Sequence, residues 1–328
     1  MRLAEVAPAT VANLAWGASL LAEARAFEHA THDVCAAQTR LLRALVRQQA
    51  ASAFGRQHDL ARVRSLSDLR HALPLRDYED HRPYVERIAA GETNVLSSSP
   101  VRCLEPTSGS VAAAKLIPAT DALRRAFTRG IAAWLIDLFR SDPRLLSGPA
   151  YWALSPALQP DARSPGGLPI GFEDDSAYLG PLGRLLARAT LAVPSAVRHL
   201  HDPIAFRHAT LLHLLRCAEL RLVSVWNPSF MTLLLDAVAE HGEALASDLE
   251  RGTCQPPGAA AQPHLDMPPA PARAAALRRA LVDHGGDQVA RGVWPELRLV
   301  SCWRDANAAV AAEQLAARLP HARMQGQA

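Results

Sequence analysis

The chain has 328 residues, of which 49% are hydrophobic, and a formal net charge of +3. This length can bury a large core, either in two lobes or in one large α/β domain. Its basic residues are interleaved with acids and form no basic patch, which argues against nucleic-acid binding. Glu5 interrupts any signal-peptide-like start, and no 18-residue uncharged apolar run offers a membrane span. Five cysteines without a Cys-x-x-Cys pair are typical of reduced thiols in a cytoplasmic protein.

The first part of the chain is predicted to be helical. Apolar residues recur at helical intervals over 1–30 and again over 34–53. Gly55 is expected to end the second helix, because glycine adopts the left-handed conformation common at helix C-termini. Ser65 and Asp77 have the residue types of N-caps and predict two shorter helices. His29 and His32 share one helical face, for which we expect solvent exposure and not a metal ion.

A turn rich in hydroxyl groups follows the helical segment. Residues 101–104 and 116–118 are predicted to be two short strands, and the loop between them ends at Lys115, the only lysine among 35 basic residues. Backbone amides and hydroxyls of such a turn can bind phosphate oxygens, and a lysine adds a compact positive charge. The candidate nucleotide-binding residues are Thr107, Ser108, Gly109, Ser110 and Lys115.

The same turn has two other interpretations. It could be a surface turn in which the lysine has no function. It could also be a P-loop, but that motif needs a glycine directly before the lysine and a helix directly after it. Ala114 precedes Lys115 here, and Pro118 would disrupt a first helical turn. The P-loop is therefore disfavoured.

The middle of the chain predicts a long helix and a candidate polar site. Thr120 or Asp121 is expected to cap a helix that runs to about Phe139, and a short strand is expected at 151–156. A Pro/Gly-rich loop leads to the adjacent acids Asp174 and Asp175, which could hold Mg²⁺ or orient a polar substrate. They could equally cap a helix or face solvent.

The second half of the chain contains an internal repeat. Residues 219–226 recur almost unchanged at 296–303, and each copy precedes a predicted helix, the first capped by Asn227 and the second starting after Asp305. Strand followed by helix, twice, indicates parallel βα units, whose ligands lie at the carboxyl ends of the strands. These ends could form a substrate pocket, or the two tryptophans could pack under the following helices. The candidate substrate-binding residues there are Trp226, Asn227, Ser301, Cys302 and Trp303.

The motifs together resemble a known family. The chain is similar to a bacterial member of the GH3 family, the auxin-responsive acyl-acid amido synthetases of the adenylate-forming superfamily, from about Leu41 to Gly326. The family's nucleotide loop has the pattern Thr-Ser-Gly-Ser-Thr-Gly-x-x-Lys. The resemblance rests on the order and spacing of Phe54-Gly55-Arg56-Gln57-His58, Pro74-Leu75-Arg76-Asp77-Tyr78, Arg87-Ile88-Ala89-Ala90-Gly91-Glu92, Pro106 to Ser110 with Lys115 to Pro118, Tyr151-Trp152, Trp226 to Phe230, Trp294-Pro295, and Ser301 to Gly326.

This resemblance implies a fold and an activity. The fold would be α/β, the large N-terminal domain of adenylate-forming enzymes such as luciferase and acyl-CoA synthetases, with a helical N-terminus. The activity would be that of an ATP-dependent ligase that adenylates a small-molecule carboxylic acid and transfers the acyl group to an amino acid. Lys115 would be catalytic, ATP and Mg²⁺ would be the cofactors, and neither nucleic acid nor a membrane would be a partner.

The sequence departs from the family pattern in two places. Val111 and Ala112 stand where the family loop has Thr and Gly, which removes a hydroxyl and a flexible backbone position. We expect 1–328 to be a partial large domain without the small C-terminal domain, with a Pro/Ala-rich loop at 253–273. The alternative to a ligase is therefore a non-catalytic remnant that binds nucleotide weakly or acts only as a protein-interaction module.

Overall fold

The computed structural model describes residues 2–107, 115–153, 162–171, 180–260, 263 and 265–327. The helices of this part of the chain are α1 (Arg2–Thr31), α2 (Val34–Gln49), α3 (Ala53–Gln57), α4 (Leu66–Ala72), α5 (Tyr78–Ala89), α6 (Asp121–Ser141), α7 (Gly180–Thr190), α8 (Pro203–Arg216), α9 (Pro228–Arg251), α10 (Pro271–Val293) and α11 (Ala309–Arg318). The strands are β1 (Val101–Pro106), β2 (Leu116–Thr120), β3 (Ala150–Trp152), β4 (Leu222–Ser224), β5 (Leu299–Cys302) and β6 (Arg323–Gly326).

The chain divides into two compact units. The sheet unit comprises the described parts of Met1–Trp16, Leu138–Leu158 and Leu182–Ala328. The hairpin unit comprises the described parts of Gly17–Asp137 and Gln159–Pro181.

The hairpin unit confirms the predicted N-caps. Ser65 and Asp77 begin α4 and α5, and each forms a capping box with the acidic residue three positions later. β1 and β2 pair as an antiparallel hairpin, with Pro106 opposite Leu116. The buried core of this unit comprises Val46, Phe54, Leu60, Val63, Tyr84, Ile88, Val95 and Leu104.

The prediction that Gly55 ends the second helix is wrong. That helix ends at Gln49, and Gly55 lies inside the short helix α3, where its N–H donates to Ser52 Oγ at 2.9 Å. A Cβ at position 55 would lie 2.0 Å from the backbone oxygen of Gln49. Glycine is needed here because the backbones of α2 and α3 approach closely, and not because of its freedom in φ.

The sheet unit contains the predicted parallel βα units. Its four strands lie in the order β3-β4-β5-β6, and all neighbouring pairs are parallel. The two copies of the internal repeat lie side by side in register, so that Val223 pairs with Val300 and Ser224 with Ser301. All four residues of β5 are buried, which is typical of a central parallel strand covered on both faces.

The helices that follow β4 and β5 begin in different ways. Asn227 caps α9 through a bond from Ser229 N to its side-chain oxygen, with Pro228 as the first helical residue, as predicted. α9 continues to Arg251 and ends at Gly252, whose φ is +72°. Asp305 makes no side-chain cap bond, and a short 3₁₀ turn precedes α11.

Three further features bear on the sequence predictions. The described residues of 253–270 form neither helix nor strand, and α10 begins at Pro271. In the described chain, no helix combines the length and the apolar character that a membrane crossing would require. The five cysteines are all free thiols.

Candidate functional site

The base of the hydroxyl-rich loop is closed by two backbone contacts in the hairpin unit. Thr107 N donates to Lys115 O at 2.8 Å, and Lys115 N donates to Thr107 Oγ1 at 3.2 Å. These bonds extend the β1–β2 hairpin by one pair beyond Pro106 and Leu116. The two residues that flank 108–114 are therefore fixed by the hairpin, because both backbones take part in its closing bonds.

The side chain of Lys115 lies against a tyrosine that the sequence analysis did not assign to the site. Lys115 Nζ is 5.2 Å from the ring centroid of Tyr78, within the range of a cation–π contact. The Tyr78 hydroxyl accepts a hydrogen bond from Leu116 N at 2.9 Å and lies 3.3 Å from Leu116 O. Tyr78, the first residue of α5, thus connects that helix to the strand that carries Lys115.

A second cation contacts the same ring but is neutralised. Arg82 lies 5.5 Å from the Tyr78 ring centroid and forms two hydrogen bonds to Glu79, at 2.6 and 2.9 Å. The hydrogen bond from Arg82 lowers the pKa of Glu79, and the charge of Lys115 adds to that effect. Among the described residues, Lys115 has no carboxylate within ion-pair distance, and its side chain is exposed. Its charge is therefore available to a ligand.

Five of the predicted site residues lie outside the described part of the chain. Their assignment stays a prediction. They are Ser108, Gly109, Ser110, Asp174 and Asp175.

The carboxyl ends of β4 and β5 in the sheet unit bring the two repeat tryptophans together. Trp226 and Trp303 meet edge to face with ring centroids 5.8 Å apart. They are 56% and 43% exposed, so neither is packed beneath the helix that follows it. Two large aromatic rings thus form an accessible apolar surface where ligands of open α/β sheets bind.

The other predicted residues at these strand ends differ in whether their side chains are engaged in the fold or buried. The side chain of Asn227 caps α9. Cys302 is fully buried in the core, and that burial raises the pKa of its thiol. Ser301 is fully buried too, and its hydroxyl has no hydrogen-bond partner among the described residues.

Gln327 also lies at these strand ends, and the sequence analysis missed it. Its Nε2 donates to Ser224 Oγ at 3.0 Å and to Ser301 O at 3.2 Å. Its backbone N donates to Cys302 O at 3.0 Å. Gln327 thus links the end of β6 to β4 and β5, a contact that only the strand order reveals.

Comparison with solved structures identifies the fold. The chain superimposes on GH3.15 acyl acid amido synthetase with a TM-score of 0.74, at 16% identity, over 92% of this chain and 55% of that one. The match to AtGH3.15 acyl acid amido synthetase in complex with 2,4-DB has a TM-score of 0.72 and 16% identity, over 88% of this chain and 51% of that one. The protein therefore has the α/β fold expected from the sequence, and it spans about half the length of these relatives.

Comparison of sequences identifies the family. Residues 23–324 match the GH3 family N-terminal domain. The chain is also 30% identical over 146 residues to a probable indole-3-acetic acid-amido synthetase, GH3.2, of Oryza sativa subsp. japonica, an alignment covering 43% of this chain and 23% of that protein. The chain belongs to the GH3 family, and the resemblance found in its sequence is confirmed.

Proposed function

We propose that this chain carries the acid-activating part of an ATP-dependent ligase that joins a carboxylic acid to an amino acid. The acid's carboxylate oxygen attacks the α-phosphorus of ATP, which breaks the bond to pyrophosphate and forms an acyl-adenylate. The amine of the amino acid then attacks the acyl carbon, loses a proton and releases AMP. The observation that carries the proposal is the exposed ammonium of Lys115, whose backbone is fixed at the base of the hydroxyl-rich loop and which has no carboxylate partner among the described residues.

Lys115 supplies positive charge where the first step needs it. Negative charge accumulates on the phosphate oxygens as pyrophosphate leaves, and a preorganised cation stabilises such charge more than water does. The closing bonds to Thr107 fix the backbone of Lys115, and the Tyr78 ring lies beside its ammonium. The hydroxyls and amides of Thr107, Ser108, Gly109 and Ser110 donate to the phosphates in this proposal.

Trp226 and Trp303 bind the acyl part of the acid. Their exposed rings offer apolar contact to a hydrocarbon or aromatic group, and the buried Ser301 hydroxyl nearby has no hydrogen-bond partner in the described part of the chain. Asp174 and Asp175 stay candidates for orienting the polar end of a substrate. Both substrates are small molecules, and the free cysteines support a cytoplasmic location.

Mg²⁺ is the metal that the family resemblance implies. Among the described residues there is no group of three or more His, Cys, Asp or Glu side chains that could hold a metal ion. Mg²⁺ bound with nucleotides is commonly held by phosphates, water and only one or two carboxylates. No step of the proposed reaction is therefore assigned to a protein-bound metal.

ATP–pyrophosphate exchange tests the proposal. The 328-residue protein is incubated with ATP, labelled pyrophosphate and a panel of carboxylic acids, and we expect acid-dependent exchange. Lys115→Ala should lower the exchange rate at least 100-fold, because loss of one charge-stabilising group typically costs that much. Arg279→Gln, at an exposed position on α10, is the control and should leave the rate unchanged.

Two results would contradict the proposal. The first is that no acid supports exchange and that ATP binds weakly or not at all, which would favour the non-catalytic remnant. Val111 and Ala112, which depart from the family's loop pattern, also favour that alternative. Exchange that survives Lys115→Ala would exclude the role of Lys115.

A further inference from the structure

Arginines begin three adjacent strands at the amino-terminal edge of the parallel sheet. Arg298 N and Leu299 N donate to Arg221 O at 3.0 and 3.2 Å, and Arg323 N donates to Arg298 O at 2.8 Å. Arg221, Arg298 and Arg323 therefore stand at the starts of β4, β5 and β6. This edge is opposite the one that carries the repeat tryptophans.

The three arginines are neutralised to different degrees. Arg221 forms ion pairs with both Glu219 and Glu296. Arg298 contacts Asp142 at 2.5 Å. Arg323 has no carboxylate partner among the described residues, and its one side-chain hydrogen bond is a long one of 3.4 Å to Ser141 Oγ. Positive charge thus increases from β4 towards β6.

A cavity lies where the charge is least neutralised. Its volume is about 390 Å³, and Arg298, Arg323, Asp142 and His321 are among the residues that line it. Arg144 also lines it and shares Asp142 with Arg298, at 3.2 Å. Three arginines therefore line a cavity whose lining contains one carboxylate. The lining carries two positive charges in excess.

His321 adds a polar atom that lacks a partner. Its Nε2 lies 3.2 Å from Trp294 O, so Nε2 carries the proton that is donated to this carbonyl. Its Nδ1 is buried and has no hydrogen-bond partner among the described residues. Burial lowers the pKa of His321, so the ring is neutral near pH 7 and leaves the charge of the lining unchanged.

We propose that this cavity is a binding site for a small molecule that carries a phosphate group, held by Arg323, Arg298 and Arg144. Guanidinium forks bind phosphate oxygens in pairs, and a phosphate dianion matches the excess of two charges. A monocarboxylate would leave one of these two positive charges unneutralised. The site lies at the opposite strand ends from the proposed acyl site and does not depend on the ligase proposal.

Isothermal titration of the 328-residue protein with inorganic pyrophosphate tests this inference. We expect saturable binding that Arg323→Gln weakens about tenfold or more. Arg323 is exposed, so its replacement should not affect folding. Arg279→Gln, which removes an equally exposed charge from α10, should leave the affinity unchanged.

Further measurements separate this site from others. The Lys115→Ala variant should still bind pyrophosphate at the site that depends on Arg323. This result would distinguish the proposed site from pyrophosphate binding at the hairpin loop. Acetate at matched ionic strength should bind more weakly than pyrophosphate. The inference is overturned if no saturable pyrophosphate binding occurs, if Arg323→Gln binds like the wild type, or if Arg279→Gln weakens binding equally. It is also overturned if Lys115→Ala abolishes all binding, or if acetate binds as tightly as pyrophosphate.

Discussion

Trp226 and Trp303 occupy equivalent positions of the internal repeat and contact each other through backbone and side chain. Trp303 N donates to Trp226 O at 2.9 Å, and the rings meet at an interplanar angle of 74°. The repeat thus places its two copies of one aromatic residue at the same edge of the sheet. Because both rings are accessible to solvent, we expect them to contribute more to substrate binding than to the stability of the fold.

Replacing either tryptophan should separate binding from stability. We expect Trp303→Ala to lower the free energy of unfolding by about 1 kcal/mol, as for an exposed aromatic pair, and to raise the apparent KM for the acid in the exchange assay. Trp294→Ala is the contrasting variant, since Trp294 is fully buried and its Nε1 donates to Leu214 O at 2.8 Å. It should cost about 3–5 kcal/mol in urea unfolding. A Trp303→Ala protein as unstable as Trp294→Ala would contradict this interpretation.

Tyr78 should matter to activity through its hydroxyl. Tyr78→Phe leaves Leu116 N without its acceptor at 2.9 Å, at a cost of about 1–2 kcal/mol. Because that bond fixes the strand that carries Lys115, we expect the exchange rate to fall as well. Tyr78→Phe also removes the weaker bond that the Tyr78 hydroxyl donates to Leu116 O at 3.3 Å. Tyr84→Phe is the control, since it removes one bond, from Tyr84 Oη to Gln57 Oε1 at 2.8 Å, away from the loop. It should lower stability similarly without slowing exchange; equal losses of exchange would exclude a specific role for Tyr78.

Local sequence signals predicted a large part of the architecture. The capping boxes at Ser65 and Asp77 require only residues three positions apart, and both are present. The hairpin on either side of the hydroxyl-rich loop follows from two β-rich segments with a short separation. The repeat predicted parallel strands, and the observed pairing of Leu222 with Leu299 shows that its copies are neighbours.

Contacts between distant parts of the chain could not be predicted in this way. Tyr78 and Leu116 are 38 positions apart, and Gln327 reaches Ser224 over 103 positions. Neither contact leaves a periodic or compositional signal. The prediction for Gly55 is wrong for a different reason: Gln49 is close in sequence, but only the angle between two helices brings its carbonyl against Gly55.

Stability should fall in mildly acidic solution because of His213, a partly buried histidine on α8. Burial lowers the pKa of His213 from 6.5 to about 4, and the charge of Arg216 contributes. The unfolded chain therefore binds a proton below about pH 6.5 that the folded chain accepts only near pH 4. The contribution of this group to stability is fully present above pH 6.5 and is lost as the pH falls towards 4, by roughly 3 kcal/mol. Burial also lowers the pKa of His208, which adds a loss of the same sign.

Urea unfolding between pH 7 and pH 4 measures this effect. His213→Leu should flatten the pH dependence, since it removes the titrating group without leaving a buried polar atom. His32→Gln, at an exposed position just after α1, is the control and should keep the wild-type profile. A pH profile that His213→Leu leaves unchanged would show that other groups are responsible.

Two glycines that lie in helices should respond oppositely to the same substitution. Gly55→Ala places a methyl group 2.0 Å from Gln49 O, in contact with backbone that cannot move away cheaply, and should cost several kcal/mol. Gly130 lies within α6 with nothing within 4 Å of the added Cβ. Gly130→Ala should therefore stabilise the protein by about 0.5–1 kcal/mol, because alanine loses less backbone entropy in a helix. Urea unfolding of both variants measures the difference, and a neutral Gly55→Ala would show that α2 and α3 do not approach as closely in solution.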